Sequence, residues 1–223
     1  MTSLDATATA APHAKHHGGA RAVPVAVFGS LVVVAAAHLG VGHPSLLEAT
    51  GRGAYLVVLV LQVWAFATQP PPEARDGRLG VWVVTLVATF AMVVAPSLPA
   101  LRSLWAPGRG EAAAQAALGL VGSGLAVAAM ARLGRSFSLT PQVRALATGG
   151  AYRLVRHPLY LGEALNVAGL AVVAGSLTVV VAAVVVVAGE VARAVLEERL
   201  LRCNFADYER RFGPVAHLVP GVW

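Results

Sequence analysis

At 223 residues the chain is long enough for one or two soluble domains, yet 57% of it is hydrophobic and only 13% charged. A soluble domain is about a quarter charged, so this composition leaves too little polar surface to cover a core, and lipid is the solvent that fits. The balance of 17 basic to 11 acidic residues gives +6, but the arginines are scattered between apolar runs rather than interleaved with exposed aromatics. That pattern argues against nucleic acid and for anionic lipid headgroups. A single cysteine, Cys203, rules out an internal disulfide framework and a CxxC metal site.

Residues 1–21 carry Ala, Thr and His without an apolar period and read as a disordered tail. Its His13, His16 and His17 read as solvated side chains, because a metal site needs preorganised ligands. Apolar segments follow at 22–42, 54–69, 79–98, 114–133 and 159–196. The first four approach the length of a helical membrane span. The fifth is too long for one crossing at about 1.5 Å per residue. Gly175-Ser176 offers a reversal there, which splits the run into 159–174 and 177–196. The expectation is an all-α polytopic membrane bundle of about six helical segments, the last two a helical hairpin. Residues 22–133 form a scaffold of four spanning helices, and 134–223 form a more polar C-terminal region that contains the hairpin. Val23 to Val34 with Ala35-Ala36-Ala37 also has the form of a cleavable signal, but further spans follow, and the segment is read as retained.

Basic residues assign the orientation. With the N-terminus inside, the inside segments hold 14 of them: Lys15, Arg21, Arg75, Arg78, Arg132, Arg135, Arg144, Arg153, Arg156, Arg193, Arg199, Arg202, Arg210 and Arg211. The outside loops keep three, Arg52, Arg102 and Arg109. By the positive-inside rule both termini and both polar C-terminal stretches face the cytoplasm, as in a bacterial inner-membrane protein.

The first half reads as scaffold, and its lone His38 as a hydrogen-bonded interfacial residue rather than a site. Residues 134–160, GRSFSLTPQVRALATGGAYRLVRHPLY, differ in being dense in Gly, Arg, Tyr and polar side chains. Gly149-Gly150 breaks any helix and lets backbone approach a ligand. Pro158 fits the first turn of a helix with His157 just before it. That helix carries Glu163, and its return carries Glu190, Arg193, Glu197 and Glu198. Glu190, Arg193 and Glu197 share a face at i,i+3 and i,i+4 spacing. They read either as a charge ladder where the helix leaves the membrane or, with Arg156 and His157 at the same leaflet, as a site for a zwitterionic ligand.

The stretch Ala147 to Glu163, with Arg156-His157-Pro158-Leu159-Tyr160-Leu161-Gly162 at its centre, resembles the signature of the isoprenylcysteine carboxyl methyltransferase family. That signature pairs R-H-P-x-Y-x-G with a Glu-Glu pair after a helical hairpin, here Glu197-Glu198. The tail from Phe205-Ala206-Asp207-Tyr208 to Trp223 resembles the family's C-terminal stretch. Phospholipid N-methyltransferases share a similar arrangement. The resemblance covers roughly residues 132–223 and implies a methyltransferase that uses S-adenosylmethionine and a lipophilic acceptor entering from the bilayer. It implies that 134–223 form the catalytic region, with a cytoplasmic C-terminal cofactor pocket drawn from Gln142, Leu146, Thr148, Gly150, Tyr152, His157, Pro158, Tyr160, Glu197 and Glu198. Glu197 and Glu198 would hold cationic or hydroxyl groups, and Arg156 would fork onto an acceptor carboxylate, which makes Arg156 and Glu198 the expected catalytic pair. The tail departs from the family where Arg211 stands for a second tyrosine and where Pro214 and His217 replace arginines. Two other readings stand beside this one. The first is phospholipid N-methylation, whose amine acceptor needs an anionic environment. The second is a non-enzymatic transport or assembly protein on the same fold.

Overall fold

The computed structural model describes residues 19–41, 43–70, 74–75, 79–94, 102–137, 142–143 and 146–221. The tail histidines His13, His16 and His17 lie outside them. Among the described residues there are six long helices: α1 Gly19–Ala37, α2 Leu46–Thr68, α3 Leu79–Val94, α4 Arg109–Leu133, α5 Pro158–Ala174 and α6 Leu177–Asn204. A short α7, Tyr208–Phe212, follows α6. The regular exception is a two-residue ladder, in which β1 Ala74–Arg75 pairs antiparallel with β2 Gln142–Val143. Among the described residues, three helices are long and apolar enough to cross a membrane: Leu46–Thr68, Arg109–Ser136 and Leu177–Asn204. Val57, Val60, Val121, Val181 and Val184 stand exposed on these helices, an apolar outer surface that suits hydrocarbon and not water.

Helix ends depart from the apolar runs for local reasons. α2 begins eight residues before the expected segment because Ser45 and Glu48 form a reciprocal capping box. The Ser45 hydroxyl accepts from the Glu48 amide at 3.3 Å, and the Glu48 carboxylate accepts from the Ser45 amide at 2.7 Å. α4 begins early as well, at Arg109, where the Glu111 carboxylate accepts from the Gly108 amide at 2.9 Å. α6 runs past 196 to Asn204 because its charged last turns find partners on α5 and in the tail. His38 lies just beyond α1, its ring 2.8 Å from the carbonyl of Val34, and Cys203 is exposed.

The packing orders the helices around α4. Phe28, Phe66 and Phe137 pack in series as tilted rings, with centroids 5.2 and 4.9 Å apart, and tie α1 and α2 to the chain leaving α4. α4 and α5 run antiparallel through a seam of glycines. A Cβ added to Gly162 would fall 2.5 Å from the Gly122 carbonyl, and one added to Gly122 would fall 2.6 Å from the Gly162 carbonyl. Such small-residue seams let helix backbones approach in the absence of a hydrophobic drive between helices. The glycine of the R-H-P-x-Y-x-G stretch therefore serves packing. Gly162→Val must part α4 from α5, and we expect it to destabilise the protein by about 1–3 kcal/mol. Unfolding of the detergent-solubilised protein measures this, and a variant as stable as the parent would contradict the seam.

At the far end the α5–α6 hairpin turns at Gly175, which adopts φ +56°, with Ser176 preceding α6 in extended conformation. The loop before α4 covers this turn. Leu104 donates its amide to the Gly175 carbonyl at 2.7 Å, Leu177 donates to Arg102 at 2.9 Å, and the Trp105 indole donates to Val172 at 2.9 Å. The turn thus satisfies helix-end groups that would otherwise be bare.

Candidate active site

The hairpin sets the site by bringing the first turns of α5 against the last turns of α6. After a 3-10 turn, Gly150–Arg153, the chain enters α5 with Pro158 in its first turn and His157 as N-cap. The tail beyond α7 then folds back beside this entry. The Arg156 amide donates to the Ala216 carbonyl at 2.8 Å and the His157 amide to His217 at 3.1 Å, a strand-like contact centred on Val155 and Ala216.

Glu198 is the hub of this junction and is only 3% exposed. One carboxylate oxygen accepts from the Tyr208 hydroxyl at 2.5 Å and faces His157 Nε2 at 3.1 Å. The other accepts from Arg156 Nη1 at 2.9 Å and lies 3.2 Å from Arg202. Arg156 is buried too, and its fork is spent on the protein itself. Nε donates to the Val215 carbonyl at 2.8 Å and Nη2 to the Gly213 carbonyl at 3.3 Å. A carboxylate can only accept, so His157 holds its hydrogen on Nε2. Burial and the neighbouring Glu198 push the Tyr208 phenol well above its ordinary pKa, which keeps it a neutral donor. His217, 3.7 Å from Glu198, is held below the usual histidine value by partial burial and by Arg156.

In front of this junction lies a cavity lined by Leu146, Tyr152, Arg156, His157, Tyr160 and Glu197, with Phe137, Tyr208 and Phe212 as further aromatic wall. Its interior holds about 70 Å³ and widens through its mouth to about 730 Å³ in all, part of it open to solvent. Ligand sites of drug-sized molecules span roughly 300–1,000 Å³, so a nucleoside-sized guest would fill the mouth as well as the interior. Glu197 is partly exposed here and accepts from the Tyr160 hydroxyl at 2.8 Å. Burial, then Glu197, raises the pKa of Tyr152 well above the usual value.

The ten cofactor residues read from the sequence thus fall into distinct places. Leu146, Tyr152, His157, Tyr160 and Glu197 line the cavity, and Pro158 is buried behind it. Glu198 stands behind the wall and turns inward, where it organises the wall rather than facing the space. Thr148 borders a neighbouring recess, Gly150 is exposed with φ +56°, and Gln142 sits in β2 opposite Arg75. Arg156 borders the cavity, but three of its nitrogens already serve Glu198 and two tail carbonyls. The acceptor clamp expected of it would have to break this set.

A second polar group lies deeper, where α2, α5 and α6 meet. Arg193 Nη1 donates to both oxygens of Glu190 at 2.9 and 3.0 Å and lies 4.0 Å from Glu163. Gln62 of α2 donates to Glu163 at 3.0 Å. The expected ladder along α6 therefore divides: Glu190 and Arg193 pair inside the bundle, while Glu197 turns to Tyr160. Gln62 escaped the sequence reading, although a lone glutamine in an apolar span is a signal of its own. Tyr208 and Phe212 lay in the tail resemblance without a role.

Residues 112–208 match the phospholipid methyltransferase family. No curated protein matches the chain. The phospholipid methyltransferase match takes in α4, the Gly149-Gly150 turn, the α5–α6 hairpin and Tyr208, and so contains Arg156, His157, Tyr160, Glu197 and Glu198 together. With three helices of spanning length, it supports a membrane methyltransferase in general.

Proposed function

We propose that the protein is an integral membrane methyltransferase that takes its methyl group from S-adenosylmethionine and passes it to a lipophilic acceptor arriving from the bilayer. The observation that carries this reading is the cavity itself. It joins a partly exposed carboxylate, Glu197, to an aromatic and histidine wall inside the segment that matches the methyltransferase family. These groups suit the cofactor's chemistry. Glu197 offers an anionic acceptor for an ammonium or ribose hydroxyls, Tyr152, Phe137 and Phe212 offer apolar faces for an adenine, and His157 offers a polar ring. Bound S-adenosylmethionine supplies an electrophilic methyl on a sulfonium that leaves as a neutral thioether. The chain's own part is placement and exclusion of water. Tyr160 fixes Glu197, and Glu198 fixes His157 and the tail that walls the mouth. The site end of the bundle carries most of the arginines, while Arg52, Arg102 and Arg109 sit at the other. We accordingly place this end at the cytoplasmic face of a bacterial inner membrane and take the six long helices as the membrane bundle.

Calorimetric titration of the detergent-solubilised protein with S-adenosylmethionine tests the reading. Glu197→Gln removes one charged hydrogen-bond acceptor from the cavity and should weaken binding by about 1.5–3 kcal/mol. Transfer of labelled methyl from S-adenosylmethionine into a lipid extract should follow the same loss. Absence of binding by the parent protein, or equal binding by the variant, would remove the cavity as the cofactor site.

A further inference from the structure

Beside the cavity, on the other side of Tyr152 and Phe212, lies a shallow recess of about 400 Å³ whose rim holds Thr148, Gly149, Arg153 and Arg211. We propose that this recess binds a phosphate group. Arg153 is exposed and forms no ion pair among the described residues. Arg211 uses Nε to donate to Asp207 at 2.5 Å, which leaves its terminal nitrogens for a second anion. Arg153 and Arg211 are the charged groups of the recess, and Asp207, which takes Arg211 Nε, also lies 3.5 Å from Arg210, so the rim carries an excess of positive charge. That excess matches a phosphate, and planar forked donors suit phosphate oxygens better than a point charge does. The backbone at the rim is bare. Gly149 has φ +78°, and a Cβ added there would meet nothing within 4 Å, so a ligand can approach this turn from the open side.

Because the recess shares Tyr152 and Phe212 with the cavity, a molecule anchored here by its phosphate lies next to the place assigned to the cofactor. The assignment of the recess does not need that reading, since the arginines stand without it. The same chemistry can come from a phospholipid headgroup or from a soluble phosphate, and the probes separate the two. Calorimetry on the full chain in a neutral maltoside detergent would compare dioctanoyl phosphatidic acid, inorganic phosphate and dioctanoylglycerol, which has no phosphate. Phosphatidic acid should bind, dioctanoylglycerol should not, and Arg153→Gln and Arg211→Gln should each weaken phosphatidic acid at least tenfold. Arg135→Gln, whose guanidinium donates to Thr68 outside the recess, should leave it unchanged and controls for general charge. Inorganic phosphate that binds and competes would assign the site to soluble phosphates, and binding of phosphatidic acid alone would assign it to headgroups. Phosphatidic acid that binds no better than dioctanoylglycerol would overturn the proposal, as would affinity equal in the parent, Arg153→Gln and Arg211→Gln. S-adenosylmethionine affinity should stay within twofold in Arg153→Gln, so a failure here is distinguishable from failure of the cofactor site.

Discussion

Glu198→Ala should be among the most damaging single substitutions in the chain, and its first effect should be on folding rather than on ligand. The carboxylate is buried and holds Arg156, His157 and Tyr208 within 3.1 Å. Removing it leaves a buried guanidinium without its counter-charge, a loss of about 3–5 kcal/mol when one partner of a buried pair is deleted. Glu198→Gln keeps the shape and one acceptor oxygen but loses the charge, and should fall between the parent and alanine. Denaturant unfolding in detergent checks the order parent, glutamine, alanine. Loss of cofactor binding should follow the loss of fold. An alanine variant that unfolds like the parent yet binds S-adenosylmethionine more weakly would instead return Glu198 to the ligand.

Arg156→Lys separates two roles for the arginine. The guanidinium reaches Glu198, Val215 and Gly213 from three different nitrogens. A lysine ammonium is a compact charge on a flexible stem and cannot span that set. It can keep the pair with Glu198 and must give up at least one tail carbonyl, at about 1.5–3 kcal/mol for a charged hydrogen bond. The tail should then loosen where it runs beside residues 155–157. Amide exchange of Arg156 and His157, which donate to Ala216 and His217, should speed up, and turnover should fall as the cavity wall formed by Tyr208 and Phe212 loses its anchor. If Arg156 instead clamps the acceptor, turnover should fall while those two amides stay as protected as in the parent. That result would refute a positioning role and restore the clamp.

The membrane bundle was legible because valine, alanine and leucine runs have one physical reading at spanning length. The hairpin was legible because Gly175 interrupts a run too long for one crossing. Helix ends were harder to read, since they depend on polar contacts that hydropathy does not count. α2 starts at its Ser45–Glu48 box, a pattern visible in the sequence but outside the apolar run. α6 continues for eight residues because Glu197 and Glu198 meet partners distant in the chain. The convergence of the R-H-P-x-Y-x-G stretch with the Glu-Glu pair could be read from motif and hairpin together. The division of labour within that pair could not. Adjacent residues on a helix point about 100° apart, and only the packed structure shows that Glu197 faces the cavity while Glu198 faces the tail. The arginine was assigned to a ligand by the family resemblance, and nothing in its sequence neighbourhood points to the carbonyls that receive it. Those carbonyls come from Val215 and Gly213, more than fifty residues away.

Tyr160 stands between the two polar groups. The His157 ring lies parallel to it at 5.5 Å, the Arg193 guanidinium sits 4.7 Å from its centroid, and its hydroxyl holds Glu197. A single aromatic ring thus touches both the chamber that opens to solvent and the charged group inside the bundle. Because Tyr160 contacts Arg193 with its ring and Glu197 with its hydroxyl, a change of charge at Arg193 should be felt at Glu197. Mutational effects at the two groups should accordingly fail to add, although Gln62 and Glu163 never border the cavity.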